Sequence, residues 1–129
     1  MTFTLGKEEK LKSKKIIELL FKEGKRIKSF PIQLIYLPVN HKSEIPIQVG
    51  FSVPKRNIKL AVNRNRIKRL LREVYRKQKH LFSIEINEKY VFMFIYMAKQ
   101  EINYADLELT IQKLSTKFLT KIKSDEEII

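Results

Sequence analysis

Three features of the 129-residue chain predict an α+β fold, a small α-β sandwich with elements in the order α-β-β-α-β-α. Two apolar runs, one before Pro38 and one after Lys89, are rich in β-branched and aromatic residues and too short to be buried helices. Between them lies a long basic segment whose apolar residues recur with helical period. Further helical patterns sit at both ends of the chain, so helices must cover a sheet of three or four strands.

The first helix is expected from an N-cap at Ser13 to about Glu23, with Ile16, Ile17, Leu20 and Phe21 as its apolar set and Gly24 as its stop. Phe30 to Val39 reads as a strand. Both its faces are apolar, Ile32, Leu34 and Tyr36 against Ile35 and Leu37, and Pro38 with Asn40-His41-Lys42-Ser43 turns the chain out of it. A second strand runs from Ile47 to Val53 and is closed by Pro54. The basic helix follows, from about Lys59 to Gln78. A polar connection containing His80 and Ser83 leads to the strongest strand, Lys89 to Met97. Asn103, with Asp106 three residues on, resembles a capping box for a last helix that buries Leu107, Ile111, Leu114 and Phe118. Residues 1–123 are thus read as one domain, and 124–129 as a disordered acidic tail.

Composition narrows the function. The net charge is +13, yet the stretch Pro54 to Lys79 alone holds eleven basic residues and one acid, leaving +3 for the rest of the chain. Such concentration favours a polyanion over a small acidic substrate. No cysteine is present, which excludes disulfides, thiol nucleophiles and Cys-based zinc sites and suits a reducing cytoplasm. The N-terminus lacks a signal-peptide core. Tyr90 to Ala98, the longest apolar run, is shorter than the ~20 residues a membrane helix needs.

Within the basic helix, Ile67, Leu70, Leu71 and Val74 form one stripe that must face the core. At ~100° per residue, Asn65, Arg69, Arg72 and Arg76 lie opposite it, with Arg64, Arg66 and Lys68 on the flanks. Like charges stand four apart at 64/68, 68/72 and 72/76, where a solvated helix would alternate signs. The alternative of a merely solvated face fails on the missing acids. Aromatic residues Phe21, Phe30, Tyr36 and Phe51 are core or, beside cations such as Lys55 and Arg56, stacking surfaces for unpaired bases. His41 and His80 have no partner spacing for metal or acid-base work and are expected at the surface. Catalytic motifs are absent: no phosphate-binding glycine loop, nucleophile elbow or paired-histidine metal motif occurs.

Phe51 to Tyr75, with Arg64-Asn65-Arg66 inside a long Ala-Val-x-Arg-Asn-Arg-Ile-Lys-Arg-Leu-x-Arg string, resembles the signature of the bacterial ribonuclease P protein component. The helix of residues 11–24, ending in Phe21 and Gly24, resembles that family's N-terminal helix, and Phe30 to Tyr36 its first strand. The resemblance implies a ribosomal protein S5 domain 2-like sandwich with a left-handed βαβ crossover. It also implies the activity, an accessory subunit of an RNA-catalysed endoribonuclease that removes the 5′ leader of precursor tRNA, with no catalytic or metal-binding residue in the chain itself. Arg64, Asn65, Arg66, Lys68, Arg69, Arg72 and Arg76 would bind the catalytic RNA. Phe21, Tyr36, Lys55, Arg56 and Ile17 would hold the leader in a cleft. Two departures bear on that cleft: Ile17 stands where the family usually has an aromatic, and the last strand ends in Tyr96-Met97-Ala98-Lys99 where the family often has Arg. No cofactor is expected on the protein, magnesium is expected in the RNA-protein holoenzyme, and no membrane or obligate protein partner is implied. The competing reading is a ribosome-associated or general RNA-binding protein without a catalytic partner RNA; a peripheral membrane role would need a broader exposed apolar face.

Overall fold

A computed structural model describes residues 9–41 and 44–127, the side chains of 125–127 apart. Four strands and four helices follow one another as α1 (Lys14–Glu23), β1 (Lys25–Ser29), β2 (Ile32–Pro38), β3 (Ile47–Ser52), α2 (Ala61–Gln78), α3 (His80–Ser83), β4 (Tyr90–Tyr96) and α4 (Tyr104–Glu127). The sheet order is β1-β2-β4-β3: β2 is antiparallel to β1 and β4, and β3 runs parallel to β4. The parallel pair is joined through α2, as such a pair requires a long crossover.

Alternation along the strands separates two cores. Leu34, Tyr36, Val49, Phe92 and Phe94 point to the face covered by α2, α3 and α4, where they meet Ile67, Leu71, Phe82, Leu107 and Phe118. Ile35, Val91, Met93 and Ile95 point to the other face, where Leu20 of α1 is buried with Ile16 and Ile17 partly buried beside it. One short helix covers that second face only in part, which leaves a groove.

Three elements depart from the sequence expectation. Strand β1 is an extra one: Lys-Arg-Ile-Lys-Ser buries only Ile27, because an edge strand needs one apolar contact and is protected from mispairing by its charges. The polar connection after α2 contains a single helical turn, α3, whose Phe82 is fully buried. Helix α4 continues through the stretch read as a tail, to Glu127; Ile128 and Ile129 lie outside the described residues. His41 is buried at 5% exposure, not at the surface, whereas His80 is exposed. Gly24 ends α1 as expected but in extended backbone, φ −66°. Its glycine is required by contact: a Cβ there would lie 2.4 Å from the Leu20 carbonyl oxygen and 2.6 Å from Ile35.

Candidate nucleic-acid interface

Helix α2 docks through Ile67, Leu71, Val74, Tyr75 and Gln78, so its opposite side is fixed toward solvent. Asn65, Arg69 and Arg72 are exposed on that side, and neither they nor the half-buried Lys68 make a hydrogen bond or ion pair among the described residues. Their charge is uncompensated. Arg66 and Arg72 stand ~120° apart on the two flanks of this ridge with Arg69 between them. Arg76 is less available, because it donates to Glu73 through Nε at 3.3 Å, and this hydrogen bond with the nearby charges of Arg76 and Lys77 holds the Glu73 carboxyl below the usual carboxylate range.

Arg64 departs from the expectation of a free cation. Its Nη1 donates to the carbonyl oxygens of Ile58, 3.0 Å, and Lys59, 2.6 Å, so it ties the loop before α2 to the helix. Helical geometry causes this, since position 64 lies ~140° from Arg69 and therefore close to the buried side. Arg66 is partly engaged, with Glu101 at 3.2 Å and Asn63 accepting a hydrogen bond.

A groove of about 300 Å³ runs where β3 forms the sheet edge, lined by Lys10, Lys12, Ile17, Gly50, Met93 and Arg72 among others. Residues 10–12 form its outer wall. They are held there by the Leu11 amide donating to the Val49 carbonyl at 3.0 Å and by a bidentate ion pair of Lys79 with Glu9 at 2.8 and 2.9 Å. At Gly50 the floor is the Met93 thioether, which packs over the glycine where a Cβ would lie 2.8 Å from its Cε. Phe51 stands at the rim, stacked on Phe94 with ring centroids 5.7 Å apart.

Of the residues expected in a leader cleft, Ile17 lines this groove and Phe21, one turn on, is 41% exposed. Tyr36 is not in it. It is 2% exposed on the opposite face of the sheet, edge-on to Phe118 at 5.0 Å, because alternation turns residue 36 away from α1 and presents Ile35 and Leu37 instead. Arg56 also lies elsewhere, in a second basin of about 650 Å³ at the start of α2 that it shares with Lys59, Arg66 and Lys99. Lys55 is exposed in the turn beside it. The groove residues missed from sequence are Lys10, Leu11, Lys12, Val49, Gly50 and Met93, of which the two lysines and the glycine carry no periodic signal.

Among the described residues no three His, Asp or Glu side chains gather to hold a metal ion, and no helix is long and apolar enough to cross a membrane. The family profile described as Ribonuclease P matches residues 5–123. The chain belongs to that family. Its relatives include the ribonuclease P protein component of Porphyromonas gingivalis, 33% identical over 116 residues that span 87% of this chain and 84% of that one. That of Chlorobaculum tepidum is 40% identical over 85 residues, 64% of this chain and 55% of the other. The ribonuclease P protein from Thermotoga maritima shares the fold, with a TM-score of 0.68 and 20% identity over 84% of this chain and 96% of its own. That of Staphylococcus aureus does so at 0.64 and 20%, over 81% and 90%. As a ribonuclease P protein component the chain takes part in tRNA processing within a ribonucleoprotein.

Proposed function

We propose that this chain is the accessory, non-catalytic subunit of a cytoplasmic ribonuclease P, binding the catalytic RNA along the exposed ridge of α2 and the single-stranded 5′ leader of precursor tRNA in the groove between α1 and β3. One observation carries the reading: Arg72 belongs to both surfaces. It lies on the solvent side of α2 and also lines the groove, so an RNA on the helix and a strand in the groove meet a continuous positive surface. The ridge presents cations on a helix, which contact chiefly phosphate and sugar, and the fold of the RNA supplies the specificity. Phe21, exposed one turn beyond the groove-lining Ile17, suits an unpaired strand, on whose bases a bare ring can stack.

The chemistry of cleavage is assigned to the RNA. Among the described residues no set of side chains is arranged to hold the metal ions that phosphodiester hydrolysis uses, which supports a reading in which magnesium sits on RNA oxygens and the protein brings two polyanions together. The deciding measurement is precursor-tRNA cleavage by the purified chain with and without the partner RNA. Cleavage is expected only with the RNA present. Cleavage by protein resistant to RNA-degrading pretreatment overturns the assignment, and copurification with ribosomal RNA alone would favour the general RNA-binding alternative.

A further inference from the structure

One end of the sheet carries a second positive surface, separate from the groove and sharing only Arg66 with the ridge of α2. The basin there is walled by Arg56, Lys59, Arg66 and Lys99, with Glu101 as its acid. It is built on a tied frame: the Asn57 side-chain amide donates to the Tyr96 carbonyl at 3.1 Å, and Arg64 clamps the carbonyls of Ile58 and Lys59. The loop therefore keeps its shape without a ligand. Glu101 is spent on Arg66, 3.2 Å away, so Arg56, Lys59 and Lys99 keep their charge unmatched among the described residues.

Phe30, at the tip of the β1-β2 hairpin, is 75% exposed, the most exposed of the large apolar side chains described. The hairpin is fastened to the end of β4 by the Met97 amide donating to the Pro31 carbonyl at 2.7 Å. Lys99 is two residues further on, within ~7 Å of extended chain. The Lys117 ammonium donates to the Lys28 carbonyl at 2.7 Å, which brings one more cation to the same hairpin. A bare aromatic ring on a lysine-bearing hairpin has poor use in water. It has a good use against a nucleic acid, where a ring stacks on an unpaired base while cations hold the neighbouring phosphates.

We propose that this end of the sheet is a second RNA subsite, in which Phe30 stacks on an unpaired base of the partner RNA and the Arg56-Lys59-Arg66-Lys99 basin holds an adjacent phosphodiester. Glu101 is its internal competitor: it occupies Arg66 until a phosphate displaces it. The inference rests on the RNA-binding reading above but on residues outside the groove, so the two fail separately.

The test compares wild type with Phe30→Ala, Lys99→Gln and Glu101→Gln for equilibrium binding to the partner RNA, and for the ratio of affinities between leader-bearing and mature tRNA in the reconstituted complex. Phe30→Ala should weaken partner-RNA binding by about tenfold. Lys99→Gln should weaken it and lower the slope of log K against log salt by about 1. Glu101→Gln should tighten it, by about threefold, because Arg66 is released. The leader ratio should stay at its wild-type value in all three. Wild-type affinity in Phe30→Ala, or weaker binding in Glu101→Gln, overturns the subsite while leaving the groove assignment standing. Chemical-shift changes at Lys99 and Arg66 with inorganic phosphate, but unchanged RNA affinity in Lys99→Gln, would reduce the basin to a general anion trap and likewise overturn it. Absence of RNA binding by the wild type would instead remove the RNA-binding reading itself. Circular dichroism of Phe30→Ala checks the fold, which this exposed side chain does not support.

Discussion

Lys79 reaches across seventy positions of sequence to place its ammonium 2.8 and 2.9 Å from the two carboxylate oxygens of Glu9. The Glu9 side chain is 9% exposed and that of Lys79 26%, so the pair joins the N-terminal segment to the end of α2 in a partly dry setting. Removing one partner leaves a poorly solvated charge behind. Lys79→Met is therefore expected to cost about 1–3 kcal/mol, below the range of a fully buried pair because Lys79 retains some water. Denaturant midpoints at constant slope would measure it. The same change should loosen the outer wall of the groove and weaken leader-bearing precursor more than mature tRNA.

Tyr75 provides a pH signature. Burial, reinforced by the charge of Glu9, pushes its hydroxyl far above the ordinary value of 10.0, and burial pushes Tyr96 the same way. A group whose folded value is raised favours the folded state only while it stays protonated. Stability should thus be level up to about pH 10 and fall above it, once the unfolded chain can ionise these tyrosines and the folded one cannot. Thermal melts between pH 8 and 11, with tyrosinate absorbance followed in parallel, should show Tyr75 ionising only with unfolding. Its ionisation in the folded protein near pH 10 would contradict the burial argument.

Arg64 and Arg69 are chemically alike and should behave oppositely. Arg64→Ala removes two hydrogen bonds to carbonyls and should lower stability by about 1–3 kcal/mol. Arg69→Ala touches only solvent in the free protein. It should leave the melting temperature unchanged and instead reduce the salt slope of partner-RNA binding by about 1. Equal effects of the two changes on either quantity would show that the helix is oriented differently.

Gly50→Val tests the groove. A Cβ at this position would first meet the end of the Met93 side chain, 2.8 Å from Cε and 3.2 Å from Sδ, which can swing aside at small cost. The fold should survive while the groove floor rises. Affinity for leader-bearing precursor should drop about tenfold or more and that for mature tRNA stay constant, since a strand can no longer sit against the sheet edge. Fluorescence-detected binding of the two RNAs decides it.

Magnesium dependence follows from charge. A segment with net +10 placed between two RNAs offsets their repulsion, a task otherwise left to cations. Adding the protein should lower the magnesium concentration needed for half-maximal cleavage, and the benefit should shrink as salt rises. A magnesium requirement that the protein leaves unchanged would deny it this role.

The sequence by itself determined the basic helix, the sheet that carries it and the family. Ile67, Leu71 and Val74 fix which side of α2 is buried because helical period leaves no other packing, and the Arg-Asn-Arg string within that period is long enough to be specific. What only the tertiary structure decided is which cations are free and which aromatics are bare. Arg64 and Arg69 look equivalent along the chain, yet one is consumed by a loop five residues back. Tyr36 and Ile35 are neighbours in sequence and lie on opposite faces, so a shift of one residue moves a side chain from one core to the other. β1 was illegible because an edge strand buries a single residue and gives no alternation. The groove wall was illegible for a different reason: it depends on Glu9 meeting Lys79 and on Leu11 meeting Val49, contacts between distant segments that no local pattern encodes.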